Sequence, residues 1–171
     1  IEHKMGLHGS PTCVMNFGEN DACYGYLIGE ECQGIKYMFQ MMNEARISCG
    51  LQGLGQGAAC FEYARQYSFE RVQGVDVRAM KDPDAERVPI VKHPDVRRSL
   101  MVMKAMTEGL RSLIYSTALE SDLLKSEDEK ISARADDRLA LLTPVIKAYG
   151  TDTGFAVADM TRMVNGGYGH T

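Results

Sequence analysis

Apolar residues recur at intervals of three or four between residues 41 and 74, the spacing that places them on one face of an α-helix. They are Ile47, Leu51, Leu54, Ala58, Phe61 and Ala64. The pattern predicts a long first helix from Met41 to Gly74, although glycines interrupt it at Gly50, Gly53, Gly55 and Gly57. Each glycine costs about 1 kcal/mol relative to alanine in an isolated helix. Because glycines are tolerated where another backbone comes close, we interpret them as a contact surface inside a helix bundle.

A glycine-rich loop that binds a dinucleotide is the rival interpretation of this stretch. Such a loop needs the spacing G-x-G-x-x-G directly after a strand. The glycines here have a different spacing and lie within a helical pattern, so we favour the bundle.

A second helix is predicted from His93-Pro94-Asp95, where proline at the first helical position and an acid in the first turn are both favoured. It ends near Leu124, and its apolar stripe consists of Val96, Leu100, Met103, Leu110, Ile114 and Thr117. The polar stretch before it, with Asp82-Pro83-Asp84, is long for a connection within a bundle and is expected to form a surface loop.

Two more helices are expected in the last third of the chain. The third covers about Asp136 to Tyr149, with a bend at Pro144 and an end at Gly150. The fourth begins at Thr151 or Asp152 and stops at Gly166-Gly167. It carries Phe155, Met160 and Met163. The predicted fold is therefore mainly α, an up-and-down four-helix bundle.

A short β remnant is expected before the bundle. Cys13 to Phe17 and Tyr24 to Ile28 are rich in β-formers, and the turn-prone Gly18 to Asp21 separates them. Two strands alone bury too little surface, so we expect them to be the last strands of a preceding β domain. This divides the chain into residues 1–34, the strands, and residues 35–171, the bundle. With no initiator methionine at Ile1, we expect a fragment of a longer protein.

Composition narrows the classes of partner. The 171 residues are 44% hydrophobic, enough for one domain with a core, and the net charge is -4 without charged blocks. That balance argues against nucleic acid or an anionic membrane as the main partner, and no apolar run approaches a membrane span. The five cysteines show no C-x-x-C pairing, which indicates reduced thiols in the cytoplasm. The four histidines are too scattered for a metal site.

Four segments in order carry a resemblance to a known family. They are KMGLHGSPTC at residues 4–13, LIGEECQGIKYMFQMMNEAR at 27–46, YSFERVQG at 67–74 and MVNGGYG at 163–169. Together they resemble the end of the middle domain and the C-terminal domain of acyl-CoA dehydrogenases. The segments NEAR, HPDVRR and LLTPVIKAYGTD, with the long linker at 75–92, are most similar to the branch that contains 3-(methylthio)propanoyl-CoA dehydrogenase.

The resemblance implies an oxidoreductase that removes hydrogen from the α and β carbons of an acyl-CoA thioester. In the family, FAD accepts hydride from the β-carbon while a carboxylate takes the α-proton. Electrons then pass to an electron-transferring flavoprotein. A homo-dimer or homo-tetramer is implied as well, because the FAD contacts come from a neighbouring subunit.

Cofactor contacts carry over onto two of the segments. Arg71 matches the arginine that contacts the FAD pyrophosphate of a neighbouring subunit, and Gln73 and Gly74 follow it in the same turn. Gly166 and Gly167 match residues whose backbone approaches the adenine end of that FAD. Without the surrounding motif, an exposed arginine that complements a helix dipole would be the simpler interpretation of Arg71.

Substrate contacts and one departure complete the implied site. Asn43 and Arg46 match helix positions near the CoA and the mouth of the active site. Met163 stands where the family usually has glutamine, so it lacks the amide donor for the adenine half of the flavin.

No catalytic residue is assigned within the chain. In most of the family the catalytic glutamate lies beyond the position of Thr171. One branch places it at the position of Ala45, and alanine cannot act as a base. Glu44 is one residue away and about 100° around the helix, so we interpret it as a solvated or ion-paired residue. The alternative function is a non-catalytic helical module for oligomerisation or interaction that keeps the bundle without the chemistry.

Overall fold

The computed structural model describes residues 1–170, and Thr171 lies outside the described part. The chain divides into two compact units, Ile1–Met38 and Phe39–Thr171. Within residues 1–170 the long helices are three: α1 (Gly34–Glu70), α2 (Pro94–Leu123) and α3 (Glu129–Asn165). A small antiparallel pair, β1 (Val72–Val75) and β2 (Arg87–Pro89), lies between α1 and α2. The predicted mainly α class is confirmed, whereas the number of long helices is three and not four.

The first unit contains no strand among residues 1–33, so the two strands expected at 13–17 and 24–28 are wrong for this structure. The turn predicted between them is present, since the Asp21 backbone N–H donates to the Gly18 carbonyl at 3.1 Å. Gly18 has a φ of +76°, a conformation that glycine adopts without strain. Two short runs without further strands cannot bury enough apolar surface to hold a sheet, which explains their extended, exposed conformation.

The third and fourth predicted helices are one continuous helix, α3. Pro144 lies inside it on an exposed face, where the carbonyl that loses its hydrogen bond can reach water. Gly150 was predicted to end a helix, but glycine ends a helix when it adopts a left-handed conformation. The backbone of Gly150 keeps a negative φ and the residue is buried, so it continues the helix as a packing residue.

A close crossing of α1 and α3 explains these glycines. A Cβ at Gly50 would overlap Ile146, and a Cβ at Gly53 would overlap the carbonyl oxygen of Gly150. In the other direction, a Cβ at Gly154 would come within 2.8 Å of the Gly53 carbonyl oxygen. The interpretation of the glycines as a contact surface is therefore confirmed on this face of α1.

The buried face of α1 differs in detail from the predicted apolar stripe. Leu54 and Ala64 are buried as expected, but Leu51 is 51% exposed and Gly55 faces open space. The small residues Gly57 and Ser68 take buried positions instead. Glycine carries no hydrophobic signal, so a stripe counted from large apolar residues is displaced around the helix.

Helix α2 provides the larger side chains of the core. Of its predicted stripe, Leu100, Met103, Leu110, Ile114 and Thr117 are all buried. The core forms two clusters. Ala64, Ile90, Leu100, Met103, Val157 and Val164 make the first, and Leu54, Leu110, Ile114 and Ile146 the second. Every long helix contributes to both clusters, so the three helices form one bundle core.

The stretch after α1 is more ordered than the predicted surface loop. Helix α1 ends at Glu70 and not at Gly74, and Gly74 lies in β1 with a φ of +73°. The β1–β2 pairing sets Val72 opposite Pro89 and Val75 opposite Arg87. Short 3-10 helices follow each strand, at Val77–Ala79 and Ile90–Lys92. This hairpin folds the chain back so that the start of α2 lies beside the end of α1.

None of the helices within residues 1–170 is both long enough and apolar enough to cross a membrane.

Replacing Gly53 by alanine tests the close crossing. The added methyl group has no room against the Gly150 carbonyl, so Gly53→Ala is expected to lower the free energy of unfolding by about 2 kcal/mol or more. Gly55→Ala is the matched control, because nothing lies near its added Cβ. The control is expected to raise the free energy of unfolding by about 0.5–1 kcal/mol. Urea unfolding followed by circular dichroism measures both, and equal stability of the two variants would contradict a close crossing.

Candidate functional site

One open cleft lies where the C-terminal ends of α1 and α3 meet the N-terminal end of α2. Its volume is about 790 Å³. Its lining includes all six residues to which the sequence resemblance assigned cofactor contacts: Arg71, Gln73, Gly74, Met163, Gly166 and Gly167. The structure therefore brings together two segments that are far apart in the sequence.

Arg71 follows directly on the last residue of α1. Its backbone N–H donates to the Tyr67 carbonyl at 2.8 Å, and its carbonyl accepts from the Ile90 N–H at 2.8 Å. The side chain is exposed, and within residues 1–170 its guanidinium has no ion-pair partner. The backbone is thus held on both sides while the charged fork remains available to an anion in the cleft.

The neighbouring wall is built from Gln73 and Gly74 of β1 and from His93. His93 Nε2 lies 2.7 Å from the Gln73 carbonyl oxygen. Because a carbonyl oxygen only accepts, Nε2 must carry the hydrogen and donate it. A Cβ at Gly74 would come within 3.3 Å of the His93 ring, and the positive φ of Gly74 also disfavours a side chain.

The opposite wall is the end of α3. Gly166 caps the helix with φ +58° and ψ -127°, a conformation that is essentially restricted to glycine, and its N–H donates to the Met163 carbonyl. Nothing lies within 4 Å of a Cβ built at Gly166 or Gly167, so the backbone there faces open space. Asn165 is 8% exposed, and its Oδ1 has no hydrogen-bond partner among the described residues. This wall therefore offers bare backbone to the cleft, and the Asn165 Oδ1 is buried behind it.

The charge around the cleft is mixed. Arg71 is positive, while Asp95 in the first turn of α2 is negative and lines the same cleft. Just beyond β1, the Arg78 side chain and backbone N–H donate to the Asp76 carboxylate and hold its pKa well below the usual range. The same contact raises the pKa of Arg78. Asp76 and Arg78 thus neutralise each other, and an anion entering the cleft is attracted mainly by Arg71.

The two residues predicted to contact substrate lie elsewhere on α1. Arg46 Nη1 donates to Asn43 Oδ1 at 3.4 Å, and its guanidinium lies 5.8 Å from the centre of the Phe39 ring. Arg46 precedes Tyr67, which lines the cleft, by 21 residues, about 30 Å along a helix. Glu44 is exposed, in agreement with a solvated residue. Asn43 and Arg46 are therefore brought to each other and not to the cleft.

Three polar residues of the cleft were not predicted from the sequence. His93, Asp95 and Asn165 line it in addition to the predicted residues. In the sequence, the pattern His93-Pro94-Asp95 indicates only the start of a helix. Its location beside the cleft depends on the β1–β2 pairing, which the pattern does not indicate. Asn165 lies inside the MVNGGYG segment, directly before the two glycines that the resemblance assigns to the cofactor. Its position next to them was the sequence signal that could have indicated it.

Several known proteins are similar in sequence to this chain. Residues 32–171 match the family model described as the acyl-CoA dehydrogenase C-terminal domain. The chain is 41% identical to a butyryl-CoA dehydrogenase of Syntrophomonas wolfei. The matched region covers 99% of this chain and 28% of that protein. It is 38% identical to the 3-methylmercaptopropionyl-CoA dehydrogenase of Ruegeria pomeroyi, with the same coverage of 99% and 28%.

A solved structure agrees on the fold. The butyryl-CoA dehydrogenase of Megasphaera elsdenii superposes with a TM-score of 0.65 and 24% identity, covering 84% of this chain and 31% of that one. The chain thus spans little more than a quarter of the length of the curated relatives described above. Those two relatives differ in the substrate of their names yet match almost equally well, so similarity alone does not select a substrate.

The cleft wall at the end of α3 is tested by two alanine substitutions. Gly166→Ala forces a side chain into a strained conformation and is expected to destabilise the fold by about 1–3 kcal/mol. Gly167→Ala is the matched control, because its φ is not in the left-handed region and the space around it is open. Its effect is expected to stay below about 1 kcal/mol. Thermal unfolding of both variants provides the measurement, and the reverse order of stability would contradict the assignment.

Proposed function

The chain belongs to the acyl-CoA dehydrogenase family, and from this premise we propose that it is the C-terminal helical part of an FAD-dependent enzyme. The proposed reaction is α,β-dehydrogenation of an acyl-CoA thioester. The family is flavin-dependent in general, acts on acyl-CoA substrates and is generally oligomeric. The share of the relatives that the chain covers supports its being one part of a longer protein.

The observation that carries the proposal is the convergence of two motif segments on one cleft. Arg71, Gln73 and Gly74 come from the segment directly after α1, whereas Gly166 and Gly167 come from the segment directly after α3. Helix packing alone does not require the Arg71 guanidinium and the glycines at 166 and 167 to line the same cleft. A ligand with a negative charge next to a flat ring system would use both walls.

FAD fits the chemistry of these walls. Its pyrophosphate suits the exposed guanidinium of Arg71, which has no ion-pair partner within residues 1–170 and can donate two parallel hydrogen bonds to phosphate oxygens. Its adenine suits the open backbone at Gly166 and Gly167. When bound in the active enzyme, FAD supplies the redox chemistry by accepting hydride from the substrate.

This chain's own part in the reaction is binding and orientation. Arg71 neutralises phosphate charge, and the glycines allow close approach of the backbone. Asp95 opposes negative charge, so the phosphates are expected on the Arg71 side of the cleft. Met163 is 67% exposed at the cleft and offers a thioether where an amide donor is usual, so it contributes contact area rather than a hydrogen bond.

We infer further partners from the family relationship. The cleft opens to solvent, and we propose that it receives the FAD of a neighbouring subunit in a homo-dimer or homo-tetramer. Asn43 and Arg46 are proposed to lie near the CoA, and an electron-transferring flavoprotein is the proposed acceptor. The catalytic base is proposed to lie outside this chain, so the isolated chain is expected to fold without turning over substrate. A cytoplasmic location remains a prediction from the cysteine pattern.

Arg71→Met tests the cofactor role in the full-length protein. The substitution removes charge-assisted hydrogen bonds to phosphate worth about 1.5–3 kcal/mol, so the Kd for FAD is expected to rise about 10- to 100-fold. Arg65→Met is the matched control, because Arg65 near the end of α1 pairs with the exposed Glu62 and does not line the cleft. FAD titration of the apoprotein measures both. Equal loss in the two variants, or none in Arg71→Met, would contradict the assignment.

The visible absorption spectrum of the purified full-length protein tests the enzyme itself. We expect a flavin band that bleaches under anaerobic conditions when a suitable acyl-CoA thioester is added, because the substrate reduces the flavin. Butyryl-CoA and 3-methylmercaptopropionyl-CoA are the first thioesters to compare. A protein that stays colourless after incubation with FAD would instead support the non-catalytic helical module.

A further inference from the structure

His93 lies at a helix N-cap, but its side chain does not cap the helix. It occupies the N-cap of α2, where a side chain commonly accepts a hydrogen bond from the first turn of the helix. No such bond is made, and Nε2 is 2.7 Å from the Gln73 carbonyl oxygen instead. The ring therefore links the N-cap of α2 to the middle of β1.

Besides its pairing with β2, the segment Arg71 to Gly74 is held by two bonds from the stretch that follows β2. The Ile90 N–H donates to the Arg71 carbonyl at 2.8 Å, and His93 donates to the Gln73 carbonyl. The first bond is backbone to backbone and is available to almost any sequence. The second depends on the identity of residue 93, because it needs a donor at the reach of an imidazole Nε2.

The bond from His93 orients a peptide group in the cleft wall. The carbonyl and N–H of one trans peptide point in opposite directions, so a fixed Gln73 carbonyl also fixes the direction of the Gly74 N–H. The ring lies against Gly74 as well, since a Cβ there would come within 3.3 Å of Cε1 and Nε2. A side chain at position 74 would therefore crowd the ring as well as adopt an unfavourable positive φ.

We propose that His93 is a positioning residue for the cleft: through the Gln73 carbonyl it holds the Arg71–Gly74 wall in the orientation that receives the nucleotide. This rests on the proposed function for the identity of the ligand. His93 acts through the backbone and not by touching the ligand with Nε2, because that atom is already engaged. The sequence resemblance does not include this residue among the cofactor contacts.

The test uses the full-length protein and three substitutions. His93→Phe keeps a flat ring against Gly74 but removes the donor, whereas His93→Gln restores a donor at similar reach. Ser99→Ala is the matched control, because Ser99 also donates from a side chain to a backbone carbonyl in the first turns of α2, at 3.0 Å from the Asp95 oxygen. Ser99 does not line the cleft.

Two measurements are made on each variant. FAD titration is expected to give a Kd about three- to tenfold higher for His93→Phe, within about twofold of wild type for His93→Gln, and unchanged for Ser99→Ala. Hydrogen–deuterium exchange of the peptide that contains residues 71–75, without FAD, is expected to be faster in His93→Phe alone.

The outcomes separate this proposal from the proposed function. Wild-type binding of FAD with an unchanged Kd and exchange rate in His93→Phe would overturn the role of His93 and leave the function standing. A Gln variant as weak as the Phe variant would also overturn it, since the donor would not be what matters. If wild type fails to bind FAD, the proposed function fails, and the exchange rates still decide whether His93 orders the wall. Should His93→Phe not fold, His93→Leu takes its place with the same expected results.

Discussion

The backbone-to-backbone crossing of α1 and α3 is the constraint on which the rest of this structure depends. Gly50 and Gly53 on one helix meet Gly150 and Gly154 on the other, with no side chain between them. Glycine weakens each helix locally, and the tight packing at the crossing offsets that cost. With α1 and α3 this close, the larger apolar side chains of α2 fill the space beside them, as the fully buried Met103 and Leu110 do.

The sequence predicts the helical character of the chain well, because a period of three or four survives in every long helix. It fails where one residue type has two meanings. A glycine after a helical pattern commonly marks the end of the helix, whereas Gly150 is a packing residue inside α3. Only the position of α1 distinguishes these two roles. The strands expected before residue 34 fail for a related reason, since strand formation needs neighbouring strands that local propensity does not report.

The candidate site was predicted from motif resemblance and not from periodicity. Arg71 and Gly166 lie in segments whose residue types suit phosphate and adenine, and the structure places both in one cleft. His93 could not be found in this way. It reaches the cleft only because β1 and β2 pair and turn the chain back, and a three-residue strand such as Arg87–Pro89 leaves almost no trace in a sequence.

Because α3 is continuous, it connects the helix crossing directly to the cleft. One uninterrupted helix carries the crossing at Gly154 and, 12 residues later, the glycine that ends it at the cleft, so about 18 Å of stiff rod separates the two. A tilt of about 5° at the crossing would move the far end by about 1.5 Å, comparable to half a hydrogen-bond length. A change in the spacing of the two helix backbones at the crossing is therefore expected to change the width of a cleft that lies about 18 Å away.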